Sequence, residues 1–248
     1  MSDSAGVPWE GRHFEPNPAA GDDGSAPERL IEALRRFRSR ELGEAEVVEA
    51  LRGSRLLIPL IAHLGEAGEN DHGVFVDKSQ ELSIVTVEGP DGRTVMPVFT
   101  SVEAMKAWDA AARPIPADAV RVALAAAHER TDLVVLDPTS WTEFAIRRPA
   151  LWAIAKQQPW TPSYADLEVL DAFMAGAEGE ASVVAVQLAP GDPDARLAAA
   201  ELVVHLTLAP GLDQSGLAAL LQRLRERWAD NELIAARVDS IAVQVAAG

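Results

Sequence analysis

Between Thr94 and Ala111 the chain reads TVMPVFTSVEAMKAWDAA, and its hydrophobic period changes within a few residues. Val95, Val98 and Phe99 are β-prone and form one short apolar strand, while Val102, Met105 and Trp108 recur at threes, as one face of a helix requires. Thr100 and Ser101 mark the switch. Either hydroxyl can accept a bond from the free N–H groups of the first helical turn, and Glu103 suits its positive end. The same N–H groups could hold an anion, but the turn has no glycine to let a phosphate approach, so capping is the reading adopted. A strand that passes directly into an amphipathic helix requires a fold that packs both kinds of element.

On either side the elements follow from pattern. Pro27 opens a helix with Leu30, Leu34 and Phe37 on one face; a second helix carries Val47, Val48 and Leu51 and stops at Gly53. Arg55 to Ala62 reads as a buried strand in which Pro59, lacking a donor, argues for an edge or a bulge. Residues 65–79 are polar and glycine-bearing and read as a loop before a strand from Glu81 to Val87. Gly89-Pro90-Asp91-Gly92 joins that strand to Thr94 as a hairpin turn. After the pivot helix, Arg113-Pro114-Ile115-Pro116 reads as a rigid connection to a helix with Val120, Leu124 and Ala127 inward. Leu133 to Leu136 is a short buried strand closed by Asp137-Pro138, and a helix around residues 150–155 follows Pro149.

Residues 157–180 mix prolines with a later Gly/Glu run and read as a segment crossing between two domains, with the boundary near Ala177. Beyond it the expected order is strand (182–188), strand (201–208), helix (213–229) and strand (238–245). Leu202, Val204, Leu206 and Leu208 alternate with Val203, His205 and Thr207, so one face is buried. Leu217, Leu220, Leu221, Leu224 and Trp228 form a helical stripe with Asp213 as cap. The expected organisation is thus an irregular arm (1–26), a larger domain of helices and strands (27–176) and a ββαβ module (177–248).

Composition narrows function mainly by exclusion. The formal charge is −16, from 38 acidic against 22 basic residues, which disfavours nucleic acid as a partner. There is no cysteine, hence no thiol nucleophile, disulfide framework or persulfide sulfur transfer. No basic start leads into an apolar run, and no stretch approaches the about 18 apolar residues of a membrane span, so no membrane association and a cytoplasmic location are expected. The five histidines, His13, His63, His72, His128 and His205, show no metal-binding spacing. No metal or cofactor is expected.

Nor does any motif announce catalysis. The sequence has no G-x-S-x-G elbow and no phosphate-binding glycine pattern. Asp137 is the best acid because it follows a buried strand, and with Ser140, Trp141 and the Thr100-Ser101 turn it could border a small pocket against the helix bearing Trp108; Asp-Pro is equally a turn starter. In the arm, Trp9 and Phe14 are large aromatics that dock onto the folded body or a partner.

VPWEGR and GDDGSA near the start, VMPVFTSVEAMKAW with the following ARPIP, LVVLDP, and RRPALWAIA together resemble the SseB (enhanced serine sensitivity) family in its actinobacterial form. These motifs span most of residues 5–160, and the PVFTS-to-Trp108 segment is the most specific. The resemblance implies an α+β domain with an antiparallel sheet and brings no catalytic residues. A sulfurtransferase has shared the name, and the missing cysteine argues against that activity. The resulting expectation is a non-enzymatic protein-interaction or regulatory module with a protein partner, able to form a homodimer through a strand edge. The alternative is a small-molecule sensor or enzyme with its pocket between residues 100–111 and 137–141.

Overall fold

The computed structural model describes residues 22–63 and 81–248; Trp9, Phe14 and the polar stretch at 65–79 lie outside the described residues. Among the described residues the order is α1 (Glu28–Arg38), α2 (Glu44–Arg52), β1 (Arg55–His63), β2 (Glu81–Ile84), β3 (Val87–Glu88), β4 (Thr94–Val98), α3 (Val102–Trp108), β5 (Arg113–Asp118) and α4 (Ala119–His128). There follow β6 (Val134–Leu136), β7 (Phe144–Ile146), α5 (Arg148–Ala155), a short 3-10 helix (Ser163–Ala165), α6 (Leu167–Ala177), β8 (Val183–Pro190), β9 (Leu202–Leu208), α7 (Gln214–Ala229), α8 (Glu232–Arg237) and β10 (Ile241–Ala247). The class is α+β, and the C-terminal β8-β9-α7-β10 arrangement is the expected ββαβ module with α8 added.

Three small sheets result. The first has order β2-β1-β5 and is antiparallel; the second has order β3-β4-β6-β7, with β4 and β6 parallel; the third has order β10-β9-β8, with β9 and β10 parallel. The first two are stitched together by Leu57 and Phe99, whose N–H groups each donate to the other's carbonyl, at 2.8 and 2.9 Å.

That stitch explains two departures from the sequence reading. Arg113–Asp118 is a strand, not a connection, and β1 is central rather than an edge. Leu57 turns both its backbone groups toward Phe99, so its pair with Pro116 needs no hydrogen bond between β1 and β5. By the two-residue period the same holds for Pro59 opposite Pro114. Three prolines therefore fit a sheet because each sits where no donor is needed on the shared side.

In α4 the inward residues are Ala119, Val122, Ala123 and Ala126, while Leu124 is 58% exposed, contrary to the expected Val120, Leu124, Ala127 face. Asp118 accepts a bond from Arg121 N–H at 2.8 Å and fixes where the helix starts, and small side chains set the closest approach to the core. The predicted strand at 81–87 is split between two sheets, β7 and α8 are too short to have left a period, and β10 starts three residues later than expected.

The larger core gathers α1, α2, α4 and α5 on β1, β4, β6 and β7. The second core packs Val169 and Phe173 of α6 with Leu202, Val204, Leu206 and Leu208 of β9, the Leu220, Leu224, Trp228 stripe of α7, and Ile234 of α8. Helix α6 thus lies inside the stretch read as a crossing segment, and its apolar face serves the second core. The loop joining β8 to β9 reaches the other way: Ala195 enters the larger core, and Ala145 N–H donates to its carbonyl at 2.7 Å.

Where α6 crosses α7, Gly176 leaves room for the indole of Trp228; a Cβ there would come within 2.6 Å of the ring. The Trp228 indole N–H donates to Phe173 O at 3.1 Å, so the ring cannot swing away without losing that bond. Gly176→Ala is expected to lower stability by about 1–3 kcal/mol through overpacking, read as a drop in the thermal midpoint.

Candidate functional site

The sequence-selected residues fall into two groups. Asp137 ends β6, is 1% exposed, and has φ of 43°, in the left-handed region. One carboxylate oxygen accepts Thr100 N–H at 2.8 Å, and the other accepts the hydroxyls of Thr100 and Thr142, each at 2.7 Å. Its own N–H donates to Val98 O at 2.8 Å. Ser140 joins through its hydroxyl, 2.7 Å from Thr142 Oγ1. Burial pushes the Asp137 carboxyl above the usual carboxylate range, and these donors offset only part of that push.

The knot is inward and closed. It ties the β4–α3 switch to the β6–β7 turn, using the space a pocket between them would need. The others do local work: Ser101 caps α3, accepting Ala104 N–H at 3.0 Å, and Trp108 packs on Phe99 with ring centres 5.4 Å apart. Trp141 is 55% exposed, and its carbonyl accepts the Arg38 Nε–H at 3.2 Å. Thr142 was not among the selected residues.

A second polar centre, unread in the sequence, joins the two cores. Arg147, 5% exposed, caps the start of α5, where the helix dipole is unfavourable to a cation. Two carboxylates answer it: Asp192 from the β8–β9 loop at 2.7 Å and Asp239 ahead of β10 at 2.9 Å. Arg93 grips Asp239 from the other side at 2.9 Å. Burial raises the Asp239 carboxyl, but hydrogen bonds from Arg93 and Arg147 outweigh it and hold the group below its ordinary value.

Nearby, Glu201 accepts the Ser163 hydroxyl at 2.7 Å and Asp239 N–H at 2.6 Å, yet burial keeps its carboxyl raised. Glu44, at the first turn of α2, accepts the Tyr164 hydroxyl at 3.2 Å. Burial pushes it up to about 7, the Tyr164 bond opposes the shift, and the charge on Glu201 adds to it. These bonds hold elements together.

A third site faces outward. Pro149 and Trp152 on α5, Lys156 at its C-cap, Pro159 and Trp160 after it, and Arg237 at the end of α8 line a cleft of about 420 Å³. Trp152 is 44% exposed, with the Arg148 guanidinium carbon 5.3 Å and the Lys156 ammonium 5.8 Å from its ring centre. Arg148 is held by donation to Ala235 O and Val238 O at 2.8 and 3.0 Å. Arg237 pairs with Asp166 and Glu168. A larger cleft beside β10 differs in that its aromatic, Trp228, is buried. None of the helices among the described residues is long and apolar enough to cross a membrane.

Two outcomes test these assignments. Asp137→Asn leaves one acceptor where three donors converge and sets an amide N–H₂ against a donor, so a loss of about 1.5–3 kcal/mol is expected in denaturant unfolding. For Glu44, the folded value near 7 exceeds the unfolded value of 4.5, so the folded state holds the proton more tightly. Its contribution is greatest below pH 4.5, falls as pH rises to 7, and is constant above that. Glu44→Gln should therefore gain on the wild type by about 3 kcal/mol between pH 4.5 and pH 7 when unfolding is followed across that range.

Residues 30–153, half of the chain, match the family described as SseB protein N-terminal domain. The match runs from α1 to α5 and includes the β4–α3 switch, Asp137 and Arg147. No curated protein and no solved structure matches the chain. The chain belongs to the SseB family.

Proposed function

We propose that the chain is a protein-interaction module of binding rather than catalytic character, built from the SseB N-terminal domain and the C-terminal ββαβ module, and that its contact surface is the Trp152 cleft. The observation that carries this reading is the exposure of Trp152. Roughly 100 Å² of indole left in water forgoes about 2.5 kcal/mol at ~25 cal/mol/Å², a cost that a bound partner removes. Tryptophan and arginine, which meet here, are the residues most enriched at interface hot spots.

The small-molecule reading places a pocket where the Thr100–Asp137–Thr142 bonds lie, and no feature of that knot supports it. Asp137 acts instead as a positioning group for the switch. The resemblance to the actinobacterial form, carried by motifs across residues 5–160, and the cytoplasmic setting expected from the sequence accord with an intracellular partner.

The experiment is capture of partners by the tagged full chain, alongside Trp152→Ala and Ser140→Ala. A protein held by the wild type and by Ser140→Ala, but reduced at least tenfold by Trp152→Ala with an unchanged thermal midpoint, is the expected result. Equal retention by all three would remove the cleft as the contact surface.

A further inference from the structure

We propose that the Trp152 cleft takes an extended, acidic, proline-containing segment of a partner protein. The inference rests on the reading of this cleft as an interaction surface and adds the chemistry of what enters it.

Shape gives the first argument. Trp152 and Pro159 are exposed and Trp160 is half-buried against the larger core, so apolar surface runs along α5 and the segment that follows it. Pyrrolidine rings stack on such surfaces, and a polyproline II segment reaches them with its conformation already restricted and its backbone free of internal hydrogen bonds. A helix presented to the same cleft would bury its side chains on one stripe, which suits a longer and more uniformly aliphatic groove.

Charge gives the second. The chain as a whole is at −16, yet the α5 wall carries Arg148 and Lys156, both exposed in part and both over the Trp152 ring. Arg237, across the cleft, pairs with two carboxylates, Asp166 and Glu168, so that with Arg148 and Lys156 the group keeps one net positive charge. Among the described residues neither Arg148 nor Lys156 forms an ion pair. With a screening length of about 8 Å, these groups and not the chain's more distant carboxylates set the local field. A carboxylate flanked by prolines satisfies both cations while its neighbours cover the indoles.

The test uses the full chain labelled with nitrogen-15, following the indole N–H signals, with Trp152→Phe and Trp160→Phe to assign those two. The probe is the acetylated hexapeptide amide Pro-Pro-Glu-Pro-Glu-Pro, and the control replaces both glutamates by lysine. Saturable shifts centred on Trp152 and Trp160 are expected, with Trp108 and Trp228 unmoved as reporters of an intact fold. Lys156→Glu should weaken the acidic probe at least tenfold and favour the basic control.

No saturable shift at millimolar probe, or equal response to both peptides, overturns the proposal. The chain itself carries Phe14-Glu15-Pro16-Asn17-Pro18, a segment of the same chemistry. If Trp152 responds to the probe only after Pro16→Ala and Pro18→Ala, the occupant is this chain's own segment, and an external partner is overturned. Capture that depends on Trp152 without any peptide response would leave the interaction surface standing and remove only this class of partner; loss of both would remove the surface as well.

Discussion

Arg147 is the residue on which the joining of the two cores depends. It is a buried cation at the wrong end of a helix dipole, and every feature that makes it costly is answered from elsewhere in the chain: Asp192, Asp239, Ser240 and the Ala199 carbonyl all reach it. Such a group is not an efficient source of stability, since a well-packed hydrophobe could do as well. What it supplies is geometry. The fork of the guanidinium accepts only one placement of the β8–β9 loop and of the chain entering β10, so it fixes how the C-terminal sheet meets α5.

Asp137 performs the corresponding task within the larger core. A parallel pair such as β4 and β6 leaves its strand ends without a hairpin to hold them, and here the carboxylate spans the gap by accepting from the β4–α3 switch and from the β6–β7 turn at once. Its left-handed backbone is held by the bond to Val98 and by these side-chain bonds. The most sharply marked stretch of the sequence and its best candidate acid are thus two halves of one structural device.

The α+β class, the β4–α3 switch, the buried face of β9 and the stripe on α7 were legible because each rests on a local period. Less legible were features decided by distant partners. The prolines of β5 spell a connection until Phe99 occupies the other side of Leu57, and the phase of α4 is set by the Asp118 cap rather than by its largest side chains. The Asp137 cluster was half legible: its members flank two turns, but only the fold aims them at one another. A signal for Arg147 was present and unread. Two adjacent arginines before the Pro149 helix start are electrostatically misplaced in isolation and require carboxylates from elsewhere in the chain. The exposed position of Trp152 had no counterpart in the sequence, because a helix of small and apolar residues does not reveal which of its large side chains faces out.

The loop between β8 and β9 brings Asp192 to Arg147 across 45 positions of sequence, and Asp239 arrives after 92. During synthesis the family-matched segment therefore emerges with its buried cation unanswered and the space for Ala195 unfilled, and it stays incomplete until the second sheet has left the ribosome. Synthesis at about 5–20 residues per second places several seconds between Arg147 and Asp239, far longer than helix formation takes, so the N-terminal part passes through an interval in which Arg147 lacks its carboxylates. The order of synthesis thus makes Ala195 and the Arg147 carboxylates late-arriving components of the first core.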